Sequence, residues 1–282
     1  MFFFVYTLQK KKNTSLIVFM FFFTLKKKMD VCKVQWKNGF ICYGNPPEKM
    51  VMEKVCTTAI STVYRCKLRN IELIAKTFIE EDSIEYKMEV KVIRRMQRHK
   101  LNFVTSWPIL RRTIVMESME NDLAKWHGPI EDVKGIMQQV VHSLKGMVAC
   151  GLYYTDMKTQ NIMYRTNAMN GIEIKFGDLS ACSHEGTWCS QTYPYPTPTY
   201  DHDDYDNTIV KACEKVVVWG VGLVWLMLMG HLNFIIQYLS HEVQTPRSAR
   251  AFQRSINKNP EVPRVVKQIV LLQLDRLDKI EF

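Results

Sequence analysis

Between Val51 and Phe78 apolar and polar positions alternate. Thr62-Val63-Tyr64-Arg65-Cys66 and Glu72-Leu73-Ile74-Ala75-Lys76 each send every second side chain to one face, the period of a half-buried strand. A turn at 68–70 separates them. From Ser83 to Arg98 the period becomes helical: Tyr86, Met88/Glu89, Val92/Ile93 and Met96 recur on one side, and Ser83 stands where a cap belongs. Residues 103–116 return to strand-like composition, broken near Arg111-Arg112. Asp132 to Ala149 carries the stripe Val133, Ile136, Met137, Val140, Val141 and Leu144, which predicts an amphipathic helix closed by Gly151. Residues 172–176 predict a short strand. Residues 182–208, rich in Ser, Thr, Pro, Tyr and Asp, predict a long loop. Val216 to Met229 is almost wholly apolar and predicts a buried helix, too short for a bilayer span of about 20 residues. One more helix is expected over 264–274. Strands plus one helix, then a mostly helical half, predict an α+β chain.

Composition narrows this picture. With 47% hydrophobic and 23% charged residues, the 282-residue chain has the make-up of a folded domain. The net charge of +10 invites a nucleic-acid reading, but six lysines lie within residues 1–28 with no acid, so the remainder carries only +4. That mild, scattered charge argues against nucleic acid as the ligand. Residues 1–28 hold two Lys-Lys-Lys runs around an apolar stretch too short to span a membrane, and no small-residue cleavage site follows. They read as an extension dispensable to a domain opening at Met29. The alternatives are a signal segment or a membrane-surface anchor, and a membrane partner is expected only if the segment is a real one. Eight cysteines without a Cys-x-x-Cys pair fit free thiols in a reducing compartment. The expectation is an intracellular, soluble protein of cytoplasm or nucleus.

The residues that carry chemistry come in a fixed order. Lys76 ends Ile74-Ala75-Lys76, and Glu85 and Glu89 follow on the predicted helix. Thr113-Ile114-Val115-Met116-Glu117 precedes Ser118 and Met119. Asp156, Lys158 and Asn161 form an Asp-x-Lys-x-x-Asn pattern, and Asp178 stands seventeen positions after Asn161 in Phe176-Gly177-Asp178-Leu179-Ser180. Taken together, over residues 50–230, these pieces resemble the protein kinase superfamily: its lysine strand, hinge, H-R-D-x-K-x-x-N catalytic loop and D-F-G turn. The resemblance implies a bilobal kinase-like fold, a β-rich N-lobe over 29–118 and a mostly helical C-lobe over 119–282. It implies ATP and Mg2+ as cofactors and a protein substrate or partner. Asp156 would be the catalytic base, Lys158 would steady the phosphoryl group, and Lys76 would pair with Glu89. Asn161 and Asp178 would hold magnesium. Val63, Ala75, Lys76, Glu117, Met119 and Asp122 would surround the nucleotide, with Met116 as gatekeeper. Lysine two places after Asp156 is the serine/threonine-type arrangement.

The pattern also departs from the family. The three glycine positions of the phosphate loop are Cys56, Thr58 and Ser61, and side chains there hinder close backbone approach to phosphates. Tyr154-Thr155 replaces His-Arg before the catalytic aspartate, which removes the clamp for a phosphorylated activation loop. Tyr195-Pro196-Thr197 lacks the acid of A-P-E, and Val217 stands for the aspartate of D-x-W-S-x-G. Braces are eroded while chemistry is kept, a combination similar to small, fast-diverging kinases of large DNA viruses. Two readings follow: an active serine/threonine protein kinase, or a catalytically weak or inactive pseudokinase acting as a protein-binding regulatory module.

Overall fold

The computed structural model describes residues 34–37, 40–43, 48–80, 83–109, 112–167, 171–190, 209–231 and 246–282. A small antiparallel sheet comes first: β1 (Val34–Lys37), β2 (Phe40–Tyr43) and β3 (Glu48–Lys49). The alternating stretch then forms β4 (Val51–Thr57), β5 (Ser61–Leu68) and β6 (Ile71–Phe78). With β7 (Ser106–Ile109) and β8 (Thr113–Glu117) these make one antiparallel sheet in the order β4-β5-β6-β8-β7. Alternation gives this sheet two buried faces. Cys66, Leu73, Ala75 and Val115 pack with Ile41 and Met50 on one side. Phe78 and Ile114 join the main core on the other. Between β6 and β7 lies α1 (Ile84–Arg98), capped by Ser83, whose hydroxyl accepts the Tyr86 N–H at 3.3 Å. It buries Glu89, Val90, Val92, Ile93 and Met96.

The second half is built on helices. After β9 (Asn121–Asp122) come α2 (Ile130–Ala149), β10 (Tyr153–Tyr154), β11 (Ile162–Thr166) and β12 (Ile172–Phe176). Short strands β13 (Cys182–Ser183), β14 (Trp188–Ser190) and β15 (Ile209–Lys211) lead to α3 (Glu214–Leu228), α4 (Pro246–Lys258) and α5 (Arg264–Val270). Every residue from Val216 to Met227 is buried, as expected of a helix apolar on all sides. A Cβ at Gly220 would run into the Met157 side chain, so glycine lets α3 sit directly beneath residues 156–161. No helix among the described residues is long and apolar enough to cross a membrane. The whole is the expected α+β arrangement, β-rich first and helical second.

Some expectations are corrected. The described parts of 182–208 are not all loop: β13 pairs with β10, and β14 with β15. Those strands exist through partners distant in sequence, which local composition does not reveal. The last helix ends at Val270, with Leu272 in the left-handed region at φ 56°. Strand β11 and helix α4 were not anticipated. Residues 1–28 and the stretch 192–197 lie outside the described residues.

Candidate active site

Strand β6 presents Lys76 on the same face as its cross-strand partners Val63 and Ile114, and Ile74 opposite Met116. Ala75, expected beside a nucleotide, goes to the other face, wholly buried with Ile41, Leu73 and Val115. Strand alternation makes this unavoidable, and it gives the place beside Lys76 to Ile74. Lys76 Nζ lies 2.8 Å from Glu89 Oε2 and 3.1 Å from Asp178 Oδ1. Burial would lower the Lys76 pKa, but Glu89 and Asp178 outweigh it and hold the ammonium above its ordinary value. Burial pushes Glu89 up against the pull of Lys76, and the Leu179 backbone N–H also supports its charge. Asp178 secures the lysine charge a second time. Helix α1 thereby joins a β6 residue to the turn at 178–181.

That turn and the loop before β11 are cross-linked. The Tyr154 hydroxyl donates to Gly177 O at 2.7 Å and to Asp178 O at 3.3 Å. Its ring lies 4.9 Å from that of Phe176. Burial raises the Tyr154 pKa well above the ordinary value, so the phenol stays a donor. Thr155 gives both its N–H (3.0 Å) and its hydroxyl (3.2 Å) to Ala181 O, and Gly177 N–H donates to Asn161 O at 2.9 Å. Asp178 itself is left-handed, φ 38° and ψ 67°. A non-glycine residue persists there when its surroundings over-determine it, and these bonds do. The Ser180 hydroxyl donates to Asp178 Oδ1 at 2.6 Å. Burial would raise Asp178, but Lys76 and Ser180 hold it below the usual carboxylate range. Alongside, Lys158 Nζ is 2.7 Å from Asp156 Oδ2, and Asn161 Nδ2 donates to Asp156 O at 2.9 Å. Asp156, Lys158 and Asn161 thus form one group, and Lys76, Glu89 and Asp178 a second.

Glu117 behaves differently from a nucleotide-facing side chain. Its carboxylate accepts from Lys175 on β12, from Arg165 on β11 at 3.1 Å, and from the Thr105 N–H at 2.8 Å. Burial would raise its pKa, but Lys175 and Thr105 bring it down to about 2. Only its backbone remains for recognition. Asp122 is also engaged: its carboxylate caps the short turn at 123–125 by accepting the Ala124 N–H at 3.0 Å. Met119 is half-buried. Lys175, Arg165 and Glu173 were missed in the sequence. Their signal was the hairpin register, which sets Arg165 opposite Glu173 and puts Glu173 and Lys175 two residues apart on one face.

The β4–β5 turn, which leads into the strand that pairs Val63 with Lys76, is closed on itself. Thr58 Oγ1 accepts the N–H of Ser61 at 3.1 Å and of Ile60 at 3.3 Å. For a cation, the candidate donors are the Asp178 carboxylate and the Asn161 side-chain oxygen. No group of three or more His, Cys, Asp or Glu able to hold a metal occurs among the described residues. Magnesium bound with a nucleotide takes one or two carboxylates and completes its shell with phosphate and water, so this donor set fits it.

The family model for the protein kinase domain matches residues 50–275. Homeodomain-interacting protein kinase 1 of Mus musculus and of Rattus norvegicus are each 23% identical over 192 residues, 62% of this chain. The chain spans 16% of the length of these curated relatives. The solved structure of the Cydia pomonella granulovirus kinase PK-1 has a TM-score of 0.59 at 16% identity, covering 82% of this chain and 92% of that one. That likeness is one of fold.

Proposed function

We propose, from the premise that this chain belongs to the protein kinase domain family, that it is a serine/threonine protein kinase acting on a protein hydroxyl. The observation that carries the proposal is the convergence of Lys76, Glu89 and Asp178 in one ion-pair chain, cross-linked to the Asp156–Lys158–Asn161 group. Phosphoryl transfer is mainly positioning and charge neutralisation, and these residues supply both. Asp156 accepts the proton of the substrate hydroxyl. Lys158, already on the same carboxylate, offers positive charge where negative charge builds. Lys76, held by Glu89, orients phosphate. Asn161 and Asp178 are the residues that would hold magnesium; ATP with this ion, when bound, supplies the transferred group and the counter-charge. Residues 117–119 connect a β-rich lobe, 29–118, to a helical one, 119–282, and offer backbone groups to the base.

A second reading is favoured by one observation, the closed β4–β5 turn. It is a pseudokinase that binds proteins and uses nucleotide poorly. Full-length protein, radiolabelled ATP, magnesium and a generic basic protein substrate separate the two. Incorporation by the wild type that falls about a hundredfold or more in Asp156→Ala is expected for general-base chemistry. Equal incorporation by both proteins rejects phosphotransfer at this site and leaves the second reading.

A further inference from the structure

Backbone amides in a tight loop over a cleft are the natural cradle for phosphate, because N–H groups converge there without a side chain's desolvation cost. In the β4–β5 turn of this chain the amides of Thr58, Ile60 and Ser61 are already taken. Thr58 Oγ1 accepts the N–H of Ile60 (3.3 Å) and of Ser61 (3.1 Å). The Thr58 N–H donates to Ser61 O at 2.8 Å. The Thr58 hydroxyl can donate in turn to Ser61 O at 3.2 Å, and it lies 3.2 Å from Ser61 Oγ. The tip is pinned from outside, since the Ile79 N–H donates to Ile60 O at 2.9 Å. Thr58 and Ser61 stand at two of the three positions where the family carries glycine.

We infer that the Thr58 hydroxyl occupies the amide donors with which this loop would hold phosphate, making Thr58 a specificity-determining residue that narrows the difference in affinity between nucleotide and nucleoside. The inference rests on the nucleotide site proposed above. A side-chain oxygen and a phosphate oxygen are both acceptors, so they compete for the same two N–H groups. The base and ribose are recognised elsewhere, along residues 117–122, and are indifferent to that competition. Phosphate then depends on Lys76, and on the magnesium that Asp178 would hold, with little help from the loop.

Three full-length proteins test this: wild type, Thr58→Val and Thr58→Ser, each titrated calorimetrically with magnesium-ATP and with adenosine. Thr58 is exposed, so neither change endangers the fold, and equal melting temperatures confirm that. Valine keeps the β-branched shape and replaces the hydroxyl with a methyl. The expected result is magnesium-ATP binding about fivefold tighter in Thr58→Val, as two weak competing hydrogen bonds vanish, with adenosine unchanged and Thr58→Ser like the wild type. Magnesium-ATP affinity in Thr58→Val equal to or weaker than the wild type, with adenosine still bound, overturns the inference and spares the nucleotide site. Failure of all three proteins to bind either ligand overturns the site itself, and the inference with it.

Discussion

The floor and the roof of the cleft have been treated differently by the sequence. On the floor, the loop around Asp156 and the turn around Asp178 are bound together through Tyr154, Thr155, Gly177 and Ala181. The Lys158–Asp156 pair completes that floor, and Lys76 ties it to the sheet above through Asp178. On the roof, the family's glycines are replaced and Thr58 takes the amides of Ile60 and Ser61. Tyr154 and Thr155 replace family residues yet tie the loop around Asp156 to the turn at 177–181 by hydrogen bonds. Thr58 also supplies hydrogen bonds, but it spends the donors that a ligand would need. Loss of a family motif is therefore informative only once the partners of the replacement are known.

The largest expected effect tests the floor. Asp178→Asn should abolish the thermal stabilisation that magnesium-ATP gives the wild type and lower phosphotransfer about a thousandfold, roughly 4 kcal/mol of barrier. Thermal shift with and without magnesium decides it, because an equal shift in mutant and wild type removes Asp178 from the metal site. If the floor is the seat of binding, no roof substitution should do comparable damage.

Next is the join between the two regions at Glu117. Its folded pKa of about 2 lies below the ordinary 4.5, so its contribution is present above pH 4.5 and lost as pH falls towards 2. A shift of this size corresponds to about 3 kcal/mol. Glu117→Gln should lose about that much stability at neutral pH, leaving the buried Lys175 without its closest partner, and should flatten the decline between pH 4.5 and pH 2. Urea unfolding across that range measures both, and parallel pH curves for mutant and wild type would break the assignment.

The smallest effect sharpens the role of Thr155. Its hydroxyl and N–H are spent on Ala181 O, and it offers no charge to a phosphorylated segment. Phosphatase treatment, verified by mass spectrometry, should change the initial rate less than about tenfold, or roughly 1.4 kcal/mol. A larger loss would mean that another basic residue reads a phosphate.

Much of this protein was determined locally. The alternation of β5 and β6, the cap and stripe of α1, the stripe of α2 and the apolar α3 follow from side-chain periodicity, which sequence displays directly. The order of Lys76, Glu89, Asp156, Asn161 and Asp178 was legible as well, because spacing along the chain is preserved when a fold diverges. Even Ala75 was decidable from alternation: it stands next to Lys76 and must face away. Tertiary structure alone decided the rest. Strands β13, β14 and β15 are too short to show a period and exist only by pairing. The Glu117–Lys175–Arg165 network joins residues up to 58 positions apart, and the Lys76–Asp178 contact spans 102. Whether a replaced motif residue braces a site or blocks it is fixed by which donors and acceptors meet across such separations. No residue carries that information in its identity, because a hydroxyl at position 58 and a phenol at position 154 become competitor and strut only through the groups the fold sets against them.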